Sequence, residues 1–308
     1  MALYDVPAPA KINLFLHVVG RRSDGYHLLE TAFRFIDLCD MLDFDVRQDG
    51  RIVREGSGMP GLAAEDDLVV RAAATLQKAT GTALGVQIRY RKTIPSGGGL
   101  GGGSSDAAST LIALNRLWKT DLDRDSLMRI GLSLGADVPV FLFGQPAFAR
   151  GVGDILCPVA MPERAYLVVQ PPQSVPTAGV FSSPDLTRDS PSVKMLVFTD
   201  WHASQAPHNG FVQAGLFGRN DLESVVFASY PTVENTALRL AQQGLTARMS
   251  GSGACFFVEF VTLAEAAACR QEIIGKMPSR ESGSATVVQN AWACSGLFDH
   301  PLRHWISS

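Results

Sequence analysis

The chain has 308 residues, 46% hydrophobic and 19% charged, with a net charge of -3. That length exceeds one usual hydrophobic core, so two domains are expected, 1–160 and 161–308, divided where Pro158 and Pro162 interrupt the sequence. The 27 Lys and Arg are scattered, which argues against a basic surface for nucleic acid or membrane; no apolar run reaches the ~18 residues needed to span a bilayer; no secretory signal opens the chain; and five cysteines without a C-x-x-C pair fit reduced thiols in a cytoplasmic protein.

From Pro9 to Val19 polar and apolar residues alternate, with Ile12, Leu14, Leu16 and Val18 on one face and Lys11, Asn13, Phe15 and His17 on the other, which predicts a strand. A turn at 21–25 and a second extended segment, 28–36, follow. Apolar spacing predicts a helix over 68–80 stopped by Gly81, and 86–94 reads as a strand. A glycine-rich run then leads into a helix carrying Ala107, Leu111, Leu114 and Trp118, with Ser104 or Ser105 as N-cap candidates. A further helix at about 124–134 ends at Gly135, with Pro139 blocking simple continuation. The second half offers a strand from about 161 to 170, helices near 191–199 and 231–243, strands near 245–250, 254–260 and 284–290, and an amphipathic segment 262–277. Strand, strand, helix, strand suggests an open α+β layer structure.

Six of the seven residues from Gly97 to Gly103 are glycine, so the backbone can approach a ligand closely and adopt positive φ. Placed before a helix, unpaired N–H groups and the helix dipole make an anion cradle, to which Ser104 and Ser105 add hydroxyls; the plain alternative is a mobile surface loop. The lysine of a Walker A loop is missing after Gly103, and although Gly97-x-Gly99-x-x-Gly102 satisfies G-x-G-x-x-G, Asp121 and Asp123 fall in a polar turn rather than at a strand end.

Four motifs occur in order: Pro9-Ala10-Lys11-Ile12-Asn13-Leu14, Arg22-Ser23-Asp24-Gly25-Tyr26-His27, the loop Pro95–Ser105, and Gly135-Ala136-Asp137-Val138-Pro139-Val140-Phe141, with Ser250-Gly251-Ser252-Gly253 beyond them. Together they resemble the GHMP kinase superfamily, nearest to the branch whose acceptor is a cytidine diphosphate-linked methylerythritol, over about 7–293. The resemblance implies two α+β domains, the first like ribosomal protein S5 domain 2 and the second ferredoxin-like, with the site between them. It further implies ATP and Mg2+ as cofactors, and the phosphates along Pro95, Ser96, Gly97, Gly98, Gly99, Leu100, Gly101, Gly102, Gly103, Ser104 and Ser105. By the same matching Lys11 and Asp137 are catalytic and Asn13 lies in the acceptor site; Tyr26 and Phe181 stack on the cytosine, and His27 hydrogen-bonds it. The partners implied are the small-molecule acceptor and ATP, with no nucleic acid or membrane, in a monomer or weak homodimer.

Residue chemistry agrees with those roles: phosphoryl transfer needs one carboxylate at the hydroxyl and one cation beside it. Taken singly, Asp137 could be a helix cap, Lys11 a solvated strand lysine, Tyr26 and Phe181 core aromatics, and 250–253 a tight hairpin. Asp106 could be a capping acid or an indirect magnesium partner. One departure stands out: the family's Glu-Asp-Asn-Leu beside the adenine pocket is Glu65-Asp66-Asp67-Leu68 here, an amide replaced by an acceptor-only carboxylate. The rival classes are a nucleotide-binding regulator that has lost catalysis, against which Lys11, Asp137 and the full loop speak, and an RNA-binding module, which a near-neutral chain disfavours.

Overall fold

The computed structural model describes residues 1–56, 63–204, 216–275 and 287–307. Two long antiparallel strands, β1 (Ala2–Arg21) and β2 (His27–Arg47), open the fold. They reach well past 9–19 and 28–36: Pro7 and Pro9 sit inside β1, and the register slips between Pro9 and Ala10, an irregularity where a residue lacking an N–H is tolerated. β3 (Ile52–Arg54), α1 (Leu68–Thr80), β4 (Gly85–Arg91), α2 (Gly102–Leu117), α3 (Arg124–Leu134), α4 (Val138–Phe143), β5 (Ala147–Arg150) and β6 (Ile155–Pro158) follow. Then come β7 (Ala165–Gln170), α5 (Thr177–Ser182), α6 (Met195–Ser204), α7 (Glu223–Ser229), α8 (Pro231–Gln242), β8 (Arg248–Met249), β9 (Phe256–Phe260), α9 (Leu263–Gly275) and β10 (Asn290–Leu297).

The helix ends carry their own explanations. Asp67 caps α1 by accepting from Val69 N at 3.0 Å, and Gly81 closes it in the left-handed region. α2 differs from expectation: it starts at Gly102 with Gly101 as N-cap and no side-chain cap bond, so Ser104 and Ser105 lie within its first turn. Gly135 ends α3, and Pro139 opens α4 rather than merely interrupting the chain, since a missing N–H costs nothing in a first turn. Helix α6 lies somewhat beyond 191–199. The last strand runs over 290–297 rather than 284–290, of which 284–286 lie outside the described residues. Its Ala, Cys, Ser and Gly composition carries little strand signal, and pairing with β7 from Asn290↔Gln170 to Ser295↔Ala165 decides it.

One sheet joins the two halves in the order β3-β4-β2-β10-β7-β9-β8. β1 pairs along β2, which also pairs with β5 at Thr31–Phe33, with β10 at Phe35 and Ile36, and with β4 at Met41–Arg47. β10 therefore bridges the lobes. Gly296 permits this crossing, because a Cβ there would come within 2.6 Å of Arg34 Nε. One core lies between the sheet and α1 to α4, a second under α5, α7 and α8, and a third between them holds Phe15, Phe148, Phe198 and Phe257. Each buried phenylalanine in that third core contributes on the order of 2 kcal/mol of burial. The tail returns Leu302 and Ile306 to the first core.

Candidate active site

A cleft of about 780 Å3 opens between the lobes. One wall is the glycine loop, which is turned in one sense along its length. Gly97 O accepts from Ala254 N (2.9 Å), Gly98 O from Cys255 N (3.1 Å), Gly99 O from Ser250 Oγ (2.9 Å), Leu100 O from Lys11 N (3.0 Å) and Gly101 O from Ser105 N (2.8 Å). With those five carbonyls bonded into the protein, the amides of Gly97 to Gly101, which donate to no described residue, are left for the cleft. The first turn of α2 adds further unpaired N–H groups and the positive end of its dipole. Close packing requires glycine at two places: a Cβ on Gly99 (φ 71°) would lie 1.9 Å from Ser250 O, and one on Gly101 (φ 71°) 3.0 Å from Phe141 and 3.1 Å from Lys11 Cε. The result is a rigid anion cradle.

At the end of that wall Lys11, from β1, is 3% exposed. Its Nζ lies 3.2 Å from Asp137 Oδ2, donates to Asn13 Oδ1 at 2.6 Å and sits 5.4 Å from the Phe33 ring centre. Asn13 is held in turn: its Nδ2 donates to Thr31 Oγ1 at 2.9 Å, and its backbone N donates to Ser250 Oγ at 3.2 Å. Asp137 occupies the N-cap position of α4 but makes no capping bond. Its side chain is 38% exposed, so the carboxylate faces the cleft with Lys11 behind it.

The opposite end of the cleft is lined by Tyr26, His27 and Phe181. Tyr26 is 62% exposed on the β1–β2 turn, whereas His27 is buried and its ring centre lies 5.3 Å from that of Phe181, tilted by 34°. Burial, with help from the Arg188 and Arg21 guanidiniums, lowers the His27 pKa and keeps the imidazole neutral. Arg188 Nε donates to His27 Nε2 at 3.1 Å, which leaves Nδ1 as the protonated nitrogen and hence the donor. The remaining Arg188 donors go to the carbonyls of Phe181, Ser183, Pro184 and Leu186, so the same guanidinium also positions the Phe181 segment.

The cleft thus gathers Lys11, Asn13, Tyr26, His27, Phe181, Asp137 and the loop from Pro95 to Ser104. Ser105 is turned the other way, fully buried, with its Oγ donating to Pro9 O at 2.6 Å. Asp106 makes neither a cap nor a contact with the cleft. It shares Lys92 Nζ with Asp40, each at 2.5 Å, and burial pushes its pKa up to about 7. Asp67 is spoken for as well: besides capping α1, its Oδ2 accepts from Arg54 (2.8 Å) and from Tyr90 Oη (2.5 Å). The carboxylate that departs from the family pattern is therefore part of a buried ion pair. Sequence reading did not single out Thr31, Arg188 or Asn220, whose Nδ2 braces the 250 turn through Met249 O and Gly251 O. The bonds of Thr31 to Asn13, of Arg188 to His27 and of Asn220 to the 250 turn span distant parts of the chain and leave no local signal.

No helix among the described residues is long and apolar enough to cross a membrane. The GHMP kinases N terminal domain family matches residues 67–145 and the GHMP kinases C terminal family residues 212–279. The chain is 58% identical over 314 residues to the 4-diphosphocytidyl-2-C-methyl-D-erythritol kinase of Bordetella parapertussis, covering 100% of both. It is 48% identical over 304 residues to that of Aromatoleum aromaticum, covering 99% of this chain and 97% of the other. A crystal structure of 4-(cytidine 5'-diphospho)-2C-methyl-D-erythritol kinase superposes with a TM-score of 0.75 at 33% identity, over 96% of this chain and 99% of that one.

Proposed function

Because the chain belongs to the GHMP kinases, and among them to the 4-diphosphocytidyl-2-C-methyl-D-erythritol kinase family, we propose that the cleft divides into an ATP arm along the glycine loop and an acceptor arm ending at His27. The enzyme is an ATP-dependent small-molecule kinase. It transfers a phosphoryl group to the 2-hydroxyl of 4-diphosphocytidyl-2-C-methyl-D-erythritol, giving the 2-phosphate and ADP in the non-mevalonate route to isoprenoids.

The observation that carries the two-arm reading is the one-sided loop: bonded carbonyls at Gly97 to Gly101 leave amides for a triphosphate. Phosphoryl transfer asks mainly for alignment and charge stabilisation. Asp137 orients the acceptor hydroxyl and takes its proton as the oxygen–phosphorus bond forms, while Lys11 spreads its charge between Asp137 and the transferring group. Asn13 fixes the lysine amine from the other side. At the far end, His27 Nδ1–H donates to an acceptor atom of the cytosine edge, with Tyr26 and Phe181 on its faces. Magnesium fits as a companion of the nucleotide. It is a hard cation that takes one or two protein oxygens beside phosphates and water, and Ser104 Oγ and the Asp137 carboxylate both line the cleft. When bound it neutralises charge on the phosphates.

We further propose the division into 1–160 and 161–308, a cytoplasmic location in keeping with five free cysteines, and a monomer or weak homodimer. A coupled ADP-release assay tests the function. Turnover is expected with the cytidine-linked acceptor and not with mevalonate or homoserine; turnover with either of those alone contradicts it.

A further inference from the structure

The side-chain cations lining the cleft are Lys11, Arg21 and Lys92 among the described residues. Two of them are already matched: Lys11 by Asp137 and Asn13, and Lys92 by Asp40 and Asp106. Arg188, near the base arm, spends its donors on His27 and on carbonyls. Arg21 differs. Its Nε donates to Gly25 O at 3.2 Å, its two terminal nitrogens donate to no described residue, and it pairs with no described carboxylate. The nearby Asp24 is taken up by Arg22, Nη2 to Oδ2 2.7 Å.

Arg21 is also well placed. It stands directly across from His27 in the β1–β2 ladder, so both side chains rise from the same face of the hairpin, and its charge is felt by the His27 imidazole. Gly25, with φ 93°, leaves the turn beside the guanidinium free of a side chain. Resting on the proposed function, the acceptor carries two phosphates between its cytosine and its reacting carbon chain. With the base at His27 and the hydroxyl at Asp137, that diphosphate lies between them in the cleft that Arg21 also lines. Desolvating its negative charge needs an unmatched cation, and a guanidinium with free terminal nitrogens presents the paired donors that phosphate oxygens accept.

We infer that Arg21 binds the diphosphate of the acceptor, and so makes the enzyme select a cytidine diphosphate derivative over the bare nucleoside. It is a specificity residue rather than one at the reacting atoms.

The test is isothermal titration of cytidine and CDP into the wild type, Arg21→Ala and Arg21→Lys. The wild type is expected to bind CDP more tightly than cytidine. Arg21→Ala should weaken CDP roughly tenfold or more while moving cytidine by no more than about twofold, and Arg21→Lys should fall between, keeping charge but not the fork. An equal loss for both ligands would make Arg21 a brace for the turn that carries Tyr26, and no loss for either would remove it from binding; each overturns the inference while the base arm stands. A wild type that binds neither ligand overturns the acceptor arm itself, and this inference with it.

Discussion

Ser250 Oγ donates to Gly99 O at 2.9 Å, so a hydroxyl from the second half of the chain fixes the orientation of a peptide in the middle of the glycine loop. The same oxygen accepts from Asn13 N, which ties the loop, β1 and the 250 turn into one unit. The shape of the glycine loop is therefore set across the lobes and not within the loop alone.

Gly99→Ala should break that unit, because its Cβ would lie 1.9 Å from Ser250 O and its φ of 71° suits glycine. Urea unfolding should show a loss of about 2–4 kcal/mol, with weakened binding of an ATP analogue. Gly103→Ala is the control: it sits within α2, its Cβ would meet only Leu68 Cδ1 at 3.4 Å, and its stability should be equal or higher by up to about 1 kcal/mol. Equal stability of the two variants contradicts the packing account.

Asp67→Asn restores the residue of the family pattern and should nevertheless destabilise this protein. The carboxylate receives Arg54 and Tyr90 at a buried position, and an amide gives up a charge-assisted bond while pointing an N–H at one donor or the other. A loss of about 1–3 kcal/mol is expected in chemical denaturation, with ATP affinity changed less than about threefold. A marked change in ATP affinity at unaltered stability would place Asp67 in the nucleotide site instead.

The helices over 68–80 and 124–134 were legible because their signals are local: 3.6-residue spacing, and Gly81 or Gly135 at the end. The loop and the Lys11 and Asp137 motifs were legible for the same reason, as compact strings with unusual composition. What escaped depends on distant partners. The structural use of Asp67, a departure from the family pattern, was not legible because Arg54 and Tyr90 cannot be assigned to it from spacing, and Ser105 reads as a cap or phosphate ligand because its acceptor, Pro9 O, lies on another strand. The extents of β1 and β2 were underestimated because prolines and acidic residues hide strands that are held by pairing rather than by propensity. The β10 crossing left no pattern at all, being set by the space that Gly296 leaves beside Arg34.

His300 gives a pH signature in stability. It is buried, accepts from Leu302 N through Nδ1 at 3.1 Å and meets the Phe35 ring edge-on, and burial pulls its pKa down to about 3. Its folded value lies below the unfolded value of about 6.5, so its contribution is complete above that pH and is lost as pH falls from about 6.5 towards 3. Between pH 7.5 and 5.5 the wild type should lose about 1.4 kcal/mol more than His300→Asn, which keeps an acceptor but no titrating group. Parallel losses in urea melts at the two pH values contradict this.

The proposed phosphoryl-transfer geometry rests on Asp137 facing the cleft with Lys11 3.2 Å behind it. The most direct measurement is steady-state turnover of Asp137→Asn with the cytidine-linked acceptor, alongside the Kd of an ATP analogue for the same protein. The account predicts kcat lower by roughly 100-fold or more with nucleotide affinity within a few-fold of wild type. Turnover equal to wild type would contradict it.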